Sequence, residues 1–334
     1  MTTVDVHSHC IPKAYVEAVR RQPDKMGSHI ERNVDGVEFD VQDNGRTIRL
    51  GRLHEDFERQ IKDMDEAGID VMAKSMLPPV FHYFAPVETG VRISRIVNQA
   101  IAEEAARWPG RIVGMAMVPL QGARESIAEL DRCVSEYNVP SVIIGTNVQG
   151  KNLDEPEFFP FFERARDLGL LIFVHPEDVA AAERLKRYYL TNFIGNPLET
   201  TIAVASLVFG GVLERLPDLK ICFAHGGGYC VFGRGRWAHG HTERKEAQAV
   251  IGQKSFDDYF RLLHFDTLVH DCLALEYLIR AVGPERVLLG TDYPADMGNW
   301  RQVPVIGSLE LLSAEDKANI LGGNAARLMG LAYG

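Results

Sequence analysis

Cysteine is scarce in this sequence, and its spacing excludes two classes of site. The five cysteines are an odd number, and no two of them form a CxxC pair: Cys10, Cys133, Cys222, Cys230 and Cys272. A disulfide framework uses an even set, and a thiolate zinc site uses closely spaced pairs. The cysteine content is therefore typical of a reducing compartment, and we expect a cytoplasmic protein.

Basic residues are also fewer than acidic ones. Lys and Arg total 36 against 46 Asp and Glu, which gives a formal net charge of −10. Such an acidic chain repels nucleic-acid phosphates and anionic lipids, so we expect neither nucleic acid nor a membrane as a partner. A small anionic substrate would need a few locally placed arginines in this background.

Long apolar runs are missing as well. No run is long enough to span a bilayer, and the first strand begins so early that we expect no signal peptide before it. Hydrophobic residues nevertheless make up 46% of the chain, which is enough for a sizeable core. The 334 residues suit one large α/β barrel or two ordinary domains.

Eight short apolar runs alternate with longer amphipathic segments. Most of the runs are continuously apolar, as in parallel strands that are buried on both faces. The predicted strands are 4–9, 69–75, 111–118, 141–145, 170–175, 219–225, 263–267 and 286–292. This rhythm predicts a single domain over residues 1–334, a (β/α)8 TIM barrel. A doubly wound sheet is the alternative, but no glycine-rich phosphate loop follows the first strand.

One stretch breaks the alternation. Residues 37–51 alternate apolar and polar side chains on both sides of Asp43-Asn44-Gly45, which is a strong hairpin signal. We therefore predict a small β-hairpin insertion within residues 13–55, after the first strand, and we expect it to lie over the mouth of the barrel.

Two histidines stand close together in the first strand, within VDVHSHCIP. His7 and His9 are two residues apart, so their side chains leave the same face of the strand. Imidazole is the commonest metal ligand in proteins. A lone pair of histidines could equally be satisfied by solvent or backbone groups, so its meaning depends on the other strands.

Three more candidate groups stand at strand ends, where TIM barrels place their catalytic residues. His175 ends the fifth strand, His225 the sixth and Asp292 the eighth. Three histidines and one carboxylate are a zinc-like ligand set with a position left for water, and His7, His9, His175 and Asp292 supply them. His225 would then act as a general base. The reverse assignment, with His225 as the ligand and Asp292 as the base, fits the spacing equally well.

A lysine is missing where a two-metal site would need one. Such a site takes a bridging group from the fourth strand, often a carboxylated lysine, but residues 146–150 read TNVQG. We therefore expect one divalent ion per chain, zinc first and manganese as the alternative. Lys74 and His82, near the end of the second strand, are candidates for lining the pocket, although both could equally be ordinary loop residues.

The motifs resemble the amidohydrolase superfamily, in its branch of metal-dependent decarboxylases. The matching segments run in order along nearly the whole chain: DVHSHCIP, DMDEAGIDV, VPLQ, FVHP, NPLETT, SLVFGGVLERLPDLKICFAHGGG and RVLLGTDYP. The resemblance implies that Asp292 binds the metal and that His225 is the base.

The resemblance also implies that two arginines hold the substrate carboxylates. One is Arg236, which would reach into the site of a neighbouring subunit and make the protein a homodimer. The other lies in the insertion, where changed spacing leaves Arg49 and Arg52 as competing candidates.

The resemblance implies non-oxidative decarboxylation of a small unsaturated or aromatic carboxylic acid. Hydrolysis of an amide or lactone on the same site is the alternative, and a hydratase is a third possibility. A barrel that merely retains the fold is the non-enzyme alternative. Asp266, at the end of the seventh strand, could orient a ligand histidine or could be a capping aspartate.

Overall fold

The computed structural model describes residues 2–51, 56–251 and 254–332. Eight parallel strands form its main sheet, in the order β1, β5, β6, β7, β10, β11, β12, β13. They are β1 (Val4–Cys10), β5 (Val71–Met76), β6 (Ile112–Met117), β7 (Ser141–Gly145), β10 (Leu171–His175), β11 (Ile221–Phe223), β12 (His264–Asp266) and β13 (Val287–Leu288).

Hydrogen bonds between the first and last segments close this sheet. Val6 donates its N–H to the carbonyl of Leu289 (2.9 Å), and His9 donates to the carbonyl of Tyr293 (2.7 Å). Ser8 also forms a parallel bridge with Tyr293. The predicted TIM barrel is therefore confirmed.

The helices lie between successive strands and after the last one. Their bounds are Lys13–Arg21, Pro23–Met26, Phe57–Ala67, Val87–Arg107, Ala123–Tyr137, Phe159–Asp167, Asn196–Phe209, Val212–Arg215, Cys230–Glu243, Phe256–Phe260, Cys272–Val282, Gln302–Ser308, Ala314–Ala318 and Asn324–Met329. Among the described residues, none of these helices is both long and apolar enough to cross a bilayer.

Local chemistry explains where the helix before β5 begins and ends. The Asp56 carboxylate accepts a hydrogen bond from the N–H of Arg59 (3.0 Å) and so caps the first turn. Gly68 ends the helix at a φ of +73°, a left-handed conformation that glycine adopts without strain. The chain then enters β5, whose residues are all buried.

The predicted hairpin is present in the segment between β1 and the helix Phe57–Ala67. Strands β3 (Glu38–Gln42) and β4 (Thr47–Arg49) pair in antiparallel fashion, and Gly45 in their turn has a φ of +85°. A third strand, β2 (Ser28–Arg32), pairs with β3. It was not predicted, because SHIER contains one apolar residue and most of its side chains face solvent.

A second small sheet also escaped prediction. Strands β8 (Asn147–Val148) and β9 (Lys151–Asn152) form an antiparallel pair just after β7. Two residues per strand are too few to show an alternating pattern.

Candidate metal centre

The five candidate residues converge at the carboxyl end of the barrel. The imidazole rings of His7, His9, His175 and His225 form neighbouring pairs with centroids 5.0–5.2 Å apart. Asp292 lies among them. Its Oδ1 is 3.3 Å from His7 Nε2 and 3.1 Å from His9 Nε2, and its Oδ2 is 3.6 Å from His225 Nε2. Potential ligand atoms of His7, His175, His225 and Asp292 all lie within 4.8 Å of one another.

Backbone and side-chain contacts hold the two ends of the chain together beneath this cluster. The Asp5 carboxylate, on the same face of β1 as His7 and His9, accepts hydrogen bonds from the Thr291 N–H (3.1 Å) and hydroxyl (2.6 Å). The same carboxylate accepts the His7 N–H (2.9 Å). Asp5 therefore fixes the position of Asp292 relative to the histidines of β1.

Three of the four histidines have an oriented Nδ1. His7 Nδ1 lies 2.6 Å from Asp266 Oδ2, and His175 Nδ1 lies 3.0 Å from the Pro176 carbonyl. His9 Nδ1 lies 2.9 Å from Ser75 Oγ, whose own proton goes to the Ser8 carbonyl (3.0 Å). Each Nδ1 therefore donates, which leaves the Nε2 lone pair directed into the cluster, as in metal-bound histidines.

Buried nitrogen atoms without partners support this interpretation. The Nε2 atoms of His7 and His9 are buried and make no well-aligned hydrogen bond to any residue that the structure describes, although Asp292 Oδ1 lies 3.1–3.3 Å away. A buried polar atom without a partner is costly and needs an explanation. Imidazole and carboxylate donors that surround one point fit a divalent ion of the zinc type.

His225 differs from the other three histidines. Its Nδ1 is buried and has no hydrogen-bond partner in the described parts of the chain. Its side chain is 16% exposed, whereas those of His7 and His9 are almost completely buried. His225 therefore lacks the orienting acceptor that a ligand histidine normally has, and it borders open space.

The electrostatics of the cluster also suit a cation. Burial lowers the pKa of His9 to about 4 and holds the pKa of His175 well below its usual range. Burial would lower the pKa of His7 too, but the Asp292 and Asp266 carboxylates outweigh it and raise that pKa to about 10. Despite burial, the adjacent histidines keep the pKa of Asp292 well below its usual value. The two ionised carboxylates, Asp266 and Asp292, outnumber the single positive charge that His7 carries without a metal, so the site favours a cation.

Backbone geometry at two of the strand ends is unusual. His225 has a φ of +55° and Asp292 a φ of +58°, in the left-handed region that non-glycine residues seldom adopt. Such conformations cost free energy and are concentrated at functional sites. Asp266 supports the first of these turns, because its Oδ1 accepts the N–H of Gly226 (2.8 Å) while Oδ2 contacts His7.

The structure places Lys74 outside the cluster. Its neighbour Ser75 contacts His9, so Lys74 projects from the opposite face of β5. The Lys74 ammonium is fully buried, donates to the His9 carbonyl (3.2 Å) and lies 4.7 Å from the centre of the Tyr293 ring. Ser75, which the sequence analysis overlooked, is the residue of β5 that reaches the site.

His82 and the candidate arginines are not brought into the cluster either. His82 is buried, and its Nε2 lies 2.9 Å from the Tyr15 hydroxyl, between the insertion and the barrel. Arg49 and Arg236 are exposed, and neither forms an ion pair with a residue that the structure describes. Arg52 lies outside the described residues.

A cavity of about 490 Å³ opens beside His225. Most of its lining is apolar or aromatic. Its lining includes Phe193, Tyr229, Phe232, Leu268, Tyr277 and Met297. The cavity is large enough for a small organic molecule that carries a flat apolar body.

Residues 4–331 match the protein family described as Amidohydrolase. The chain belongs to the amidohydrolase family. Among its relatives is the 2-amino-3-carboxymuconate-6-semialdehyde decarboxylase of Dictyostelium discoideum, 39% identical over 81% of this chain and 76% of the relative. The Caenorhabditis elegans protein of the same name is 30% identical over 98% of this chain and 94% of the relative. The resemblance inferred from the sequence is confirmed.

A solved structure shares the fold of this amidohydrolase. It is the 5-carboxyvanillate decarboxylase of Novosphingobium aromaticivorans, with a TM-score of 0.83 and 19% sequence identity. The similarity covers 99% of this chain and 97% of that one, and that structure holds bound manganese.

Proposed function

We propose that this amidohydrolase catalyses the metal-dependent, non-oxidative decarboxylation of a small unsaturated or aromatic carboxylic acid. The observation that carries the proposal is the convergence of four histidines and Asp292 beside an aromatic cavity. Two relatives that match most of the chain are named as decarboxylases of a small unsaturated acid, which supports the same reaction class.

His7, His9, His175 and Asp292 are the proposed ligands of one divalent ion, and His225 is the proposed base. The oriented Nδ1 atoms of the first three histidines support their role as ligands, whereas His225 has no such partner. Three histidines and a carboxylate favour zinc. Manganese is the alternative, in view of the manganese bound by the structural neighbour.

The protein residues would act on the acid in two ways. The aromatic cavity binds its body. A bound ion supplies positive charge that stabilises the electron pair left on carbon when the C–CO2 bond breaks. His225 takes a proton from solvent as the base and then delivers it from Nε2 to that carbon, so the carboxylate and one proton become CO2 and the product in which hydrogen replaces the carboxylate.

The second candidate is hydrolysis of an amide or lactone on the same group of residues, with His225 taking a proton from water. One assay separates the two reactions. Purified protein loaded with zinc or manganese is given 2-amino-3-carboxymuconate-6-semialdehyde, 5-carboxyvanillate and 2,6-dihydroxybenzoate, alongside a set of amides and lactones. We expect CO2 release from at least one acid. Hydrolysis of amides or lactones with no CO2 release from any acid would contradict the proposal.

We further propose a single domain over residues 1–334, in which residues 13–55 form an insertion over the mouth of the barrel. We also propose that the protein is cytoplasmic and binds neither nucleic acid nor membranes. The turn of the insertion contacts loops at the carboxyl ends of the barrel strands, which supports that position. All five cysteines are free, and four of them are buried, in keeping with a reducing compartment.

We also propose that the active species is a homodimer in which Arg236 binds a substrate carboxylate in the partner's site. Arg236 lies in the helix Cys230–Glu243, which begins five residues after His225. Its guanidinium has no acidic partner among the described residues. Large apolar side chains near this helix are exposed to solvent, among them Phe232 (87%) and Leu273 (76%). A second subunit would cover such a patch.

Mixing two impaired variants, assayed at a substrate concentration well below the wild-type KM, tests this arrangement. We expect Arg236→Ala to raise KM about 100-fold, because a bidentate, charge-assisted hydrogen bond to the substrate carboxylate is lost. After subunit exchange with His225→Ala, half of the dimers are mixed and each has one intact site, so activity should recover to roughly a quarter of wild type. No recovery after verified exchange would contradict sharing. An unchanged KM in Arg236→Ala would remove the residue from the site.

A further inference from the structure

The turn of the insertion hairpin is bound to the barrel by an arginine that the sequence analysis did not single out. Arg46 is half-buried, and its two terminal nitrogens form ion pairs with Glu177 and Asp178. One of them also lies 3.3 Å from the carbonyl of Pro79, and Gln42 donates to the same carbonyl from 2.8 Å. The turn therefore contacts two separate loops of the barrel.

These two loops follow strands that are not neighbours in the barrel. Pro79 follows β5, and Glu177 lies two residues after His175 at the end of β10. In the sheet, β5 and β10 are separated by β6 and β7. One Arg46 nitrogen nevertheless contacts both loops, the Pro79 carbonyl and Glu177. The hairpin turn therefore lies along the side of the mouth that β5, β6, β7 and β10 form.

Glu177 is a fixed point on the barrel side of this contact. Its N–H donates to the Thr146 hydroxyl (3.0 Å), and its carbonyl accepts from the Asn147 side-chain amide (2.6 Å). The Glu177 side chain is only 7% exposed, and Arg46 is the cation paired with it among the described residues. Because a buried carboxylate that loses its cation is strongly disfavoured, this pair is a firm attachment.

We propose that Arg46 is a positioning residue that acts through Glu177 to hold the insertion along this side of the mouth, and so determines the affinity and the size of the acids that the site admits. The inference rests on the proposed decarboxylase function. With the attachment intact, the hairpin limits the open width of the mouth beside the segment that carries His175. Without it, the hairpin moves away, and a bound acid loses enclosing contacts but keeps its position at the cluster.

The test compares Arg46→Met with Arg32→Met in the metal-loaded enzyme. Arg32 is a matched control, because it lies in the same insertion and pairs with Glu38 (2.7 Å), but its side chain is 67% exposed and such surface pairs contribute little. For the best acid, Arg46→Met should raise KM about tenfold and change kcat less than about threefold. The kcat/KM for bulkier acids, divided by the kcat/KM for smaller acids, should rise in Arg46→Met and stay unchanged in Arg32→Met.

A double-mutant cycle tests whether Arg46 acts through Glu177. In a Glu177→Gln background, Arg46→Met should raise KM much less than it does in wild type, because the ion pair is already lost. Amide hydrogen exchange in residues 37–49 should be faster in Arg46→Met than in Arg32→Met. Equal KM and equal exchange in the two arginine variants would overturn the proposal, as would a full Arg46→Met effect in the Glu177→Gln background.

Failure of the proposed function gives a different pattern of results. If wild-type enzyme releases CO2 from no acid, the exchange experiment still measures the attachment. Faster exchange confined to Arg46→Met would then support the attachment alone and refute its role in admitting acids. Active wild type with identical Arg46→Met and Arg32→Met enzymes would refute the attachment and leave the decarboxylase assignment in place.

Discussion

Replacing Asp292 with alanine is expected to remove the metal ion and abolish activity. The Asp292 carboxylate lies within 3.3 Å of the Nε2 atoms of both His7 and His9, so it is the negative charge at the centre of the proposed ligand set. Loss of a contact outside the ligand set typically costs about 10- to 100-fold in metal affinity. Loss of this charged ligand should cost more than that, and metal content after dialysis should fall from one ion per chain to nearly none.

Asp266→Asn is the graded control for this prediction. Asp266 contacts His7 Nδ1 and is not itself a proposed ligand, so its variant should lose about 10- to 100-fold in affinity and regain activity when metal is added in excess. Asp292→Ala should not regain activity. Metal analysis by mass spectrometry, with turnover measured on the same samples, checks both results. Two ions per active chain would contradict the single-ion assignment, and full activity after chelation would contradict metal dependence.

The barrel and the converging residues could be predicted because both depend on local sequence patterns. Parallel strands buried on both faces appear as continuous apolar runs, and the rule that such barrels present functional groups at strand ends then selects His175, His225 and Asp292. The alternation of β1 places His7 and His9 on one face. None of these steps needs a contact between distant residues.

The strand lengths were predicted less well than their positions. Strand β11 ends at Phe223 and β13 ends at Leu288, although the apolar pattern continues toward His225 and Asp292. Both of those residues adopt positive φ, so the chain leaves strand geometry before or at the functional residue. Hydrophobic pattern alone contains no signal for this turn, because the conformation is imposed by contacts such as Asp266 with Gly226.

One contact across the fold had no signal in the sequence. Arg46 and Glu177 are 131 positions apart, and their contact depends on how the insertion packs on the barrel. Lys74 was a candidate because it lies near a strand end, which leaves the face of the strand undetermined. In the pairing of β1 with β5, Lys74 lies opposite Ser8 and Ser75 lies opposite His9, so Ser75 shares the face of the ligand histidines.

His225→Ala has the second large expected effect. Its metal content should stay unchanged, whereas that of Asp292→Ala should fall to nearly none. The variant should keep its metal ion and lose about 100- to 10,000-fold in kcat, the range typical of a positioned acid or base. His225 Nε2 lies 3.6 Å from Asp292 Oδ2 and beside the aromatic cavity, so it is close to any acid held there. Its Nδ1 has no orienting partner among the described residues, unlike those of the proposed ligand histidines.

Metal content and turnover measured on one preparation separate the possible roles of His225. His239→Ala serves as a control, because His239 is an exposed residue of the helix Cys230–Glu243, and it should retain both metal and activity. A His225→Ala protein that loses its metal would make His225 a ligand and would favour Asp292 as the base. A variant with full metal and full turnover would show that His225 has neither role. If His225→Ala retains its metal and its turnover falls at least about 100-fold, proton transfer remains as the function of His225. That result excludes both a role as a metal ligand and the absence of any role in the reaction.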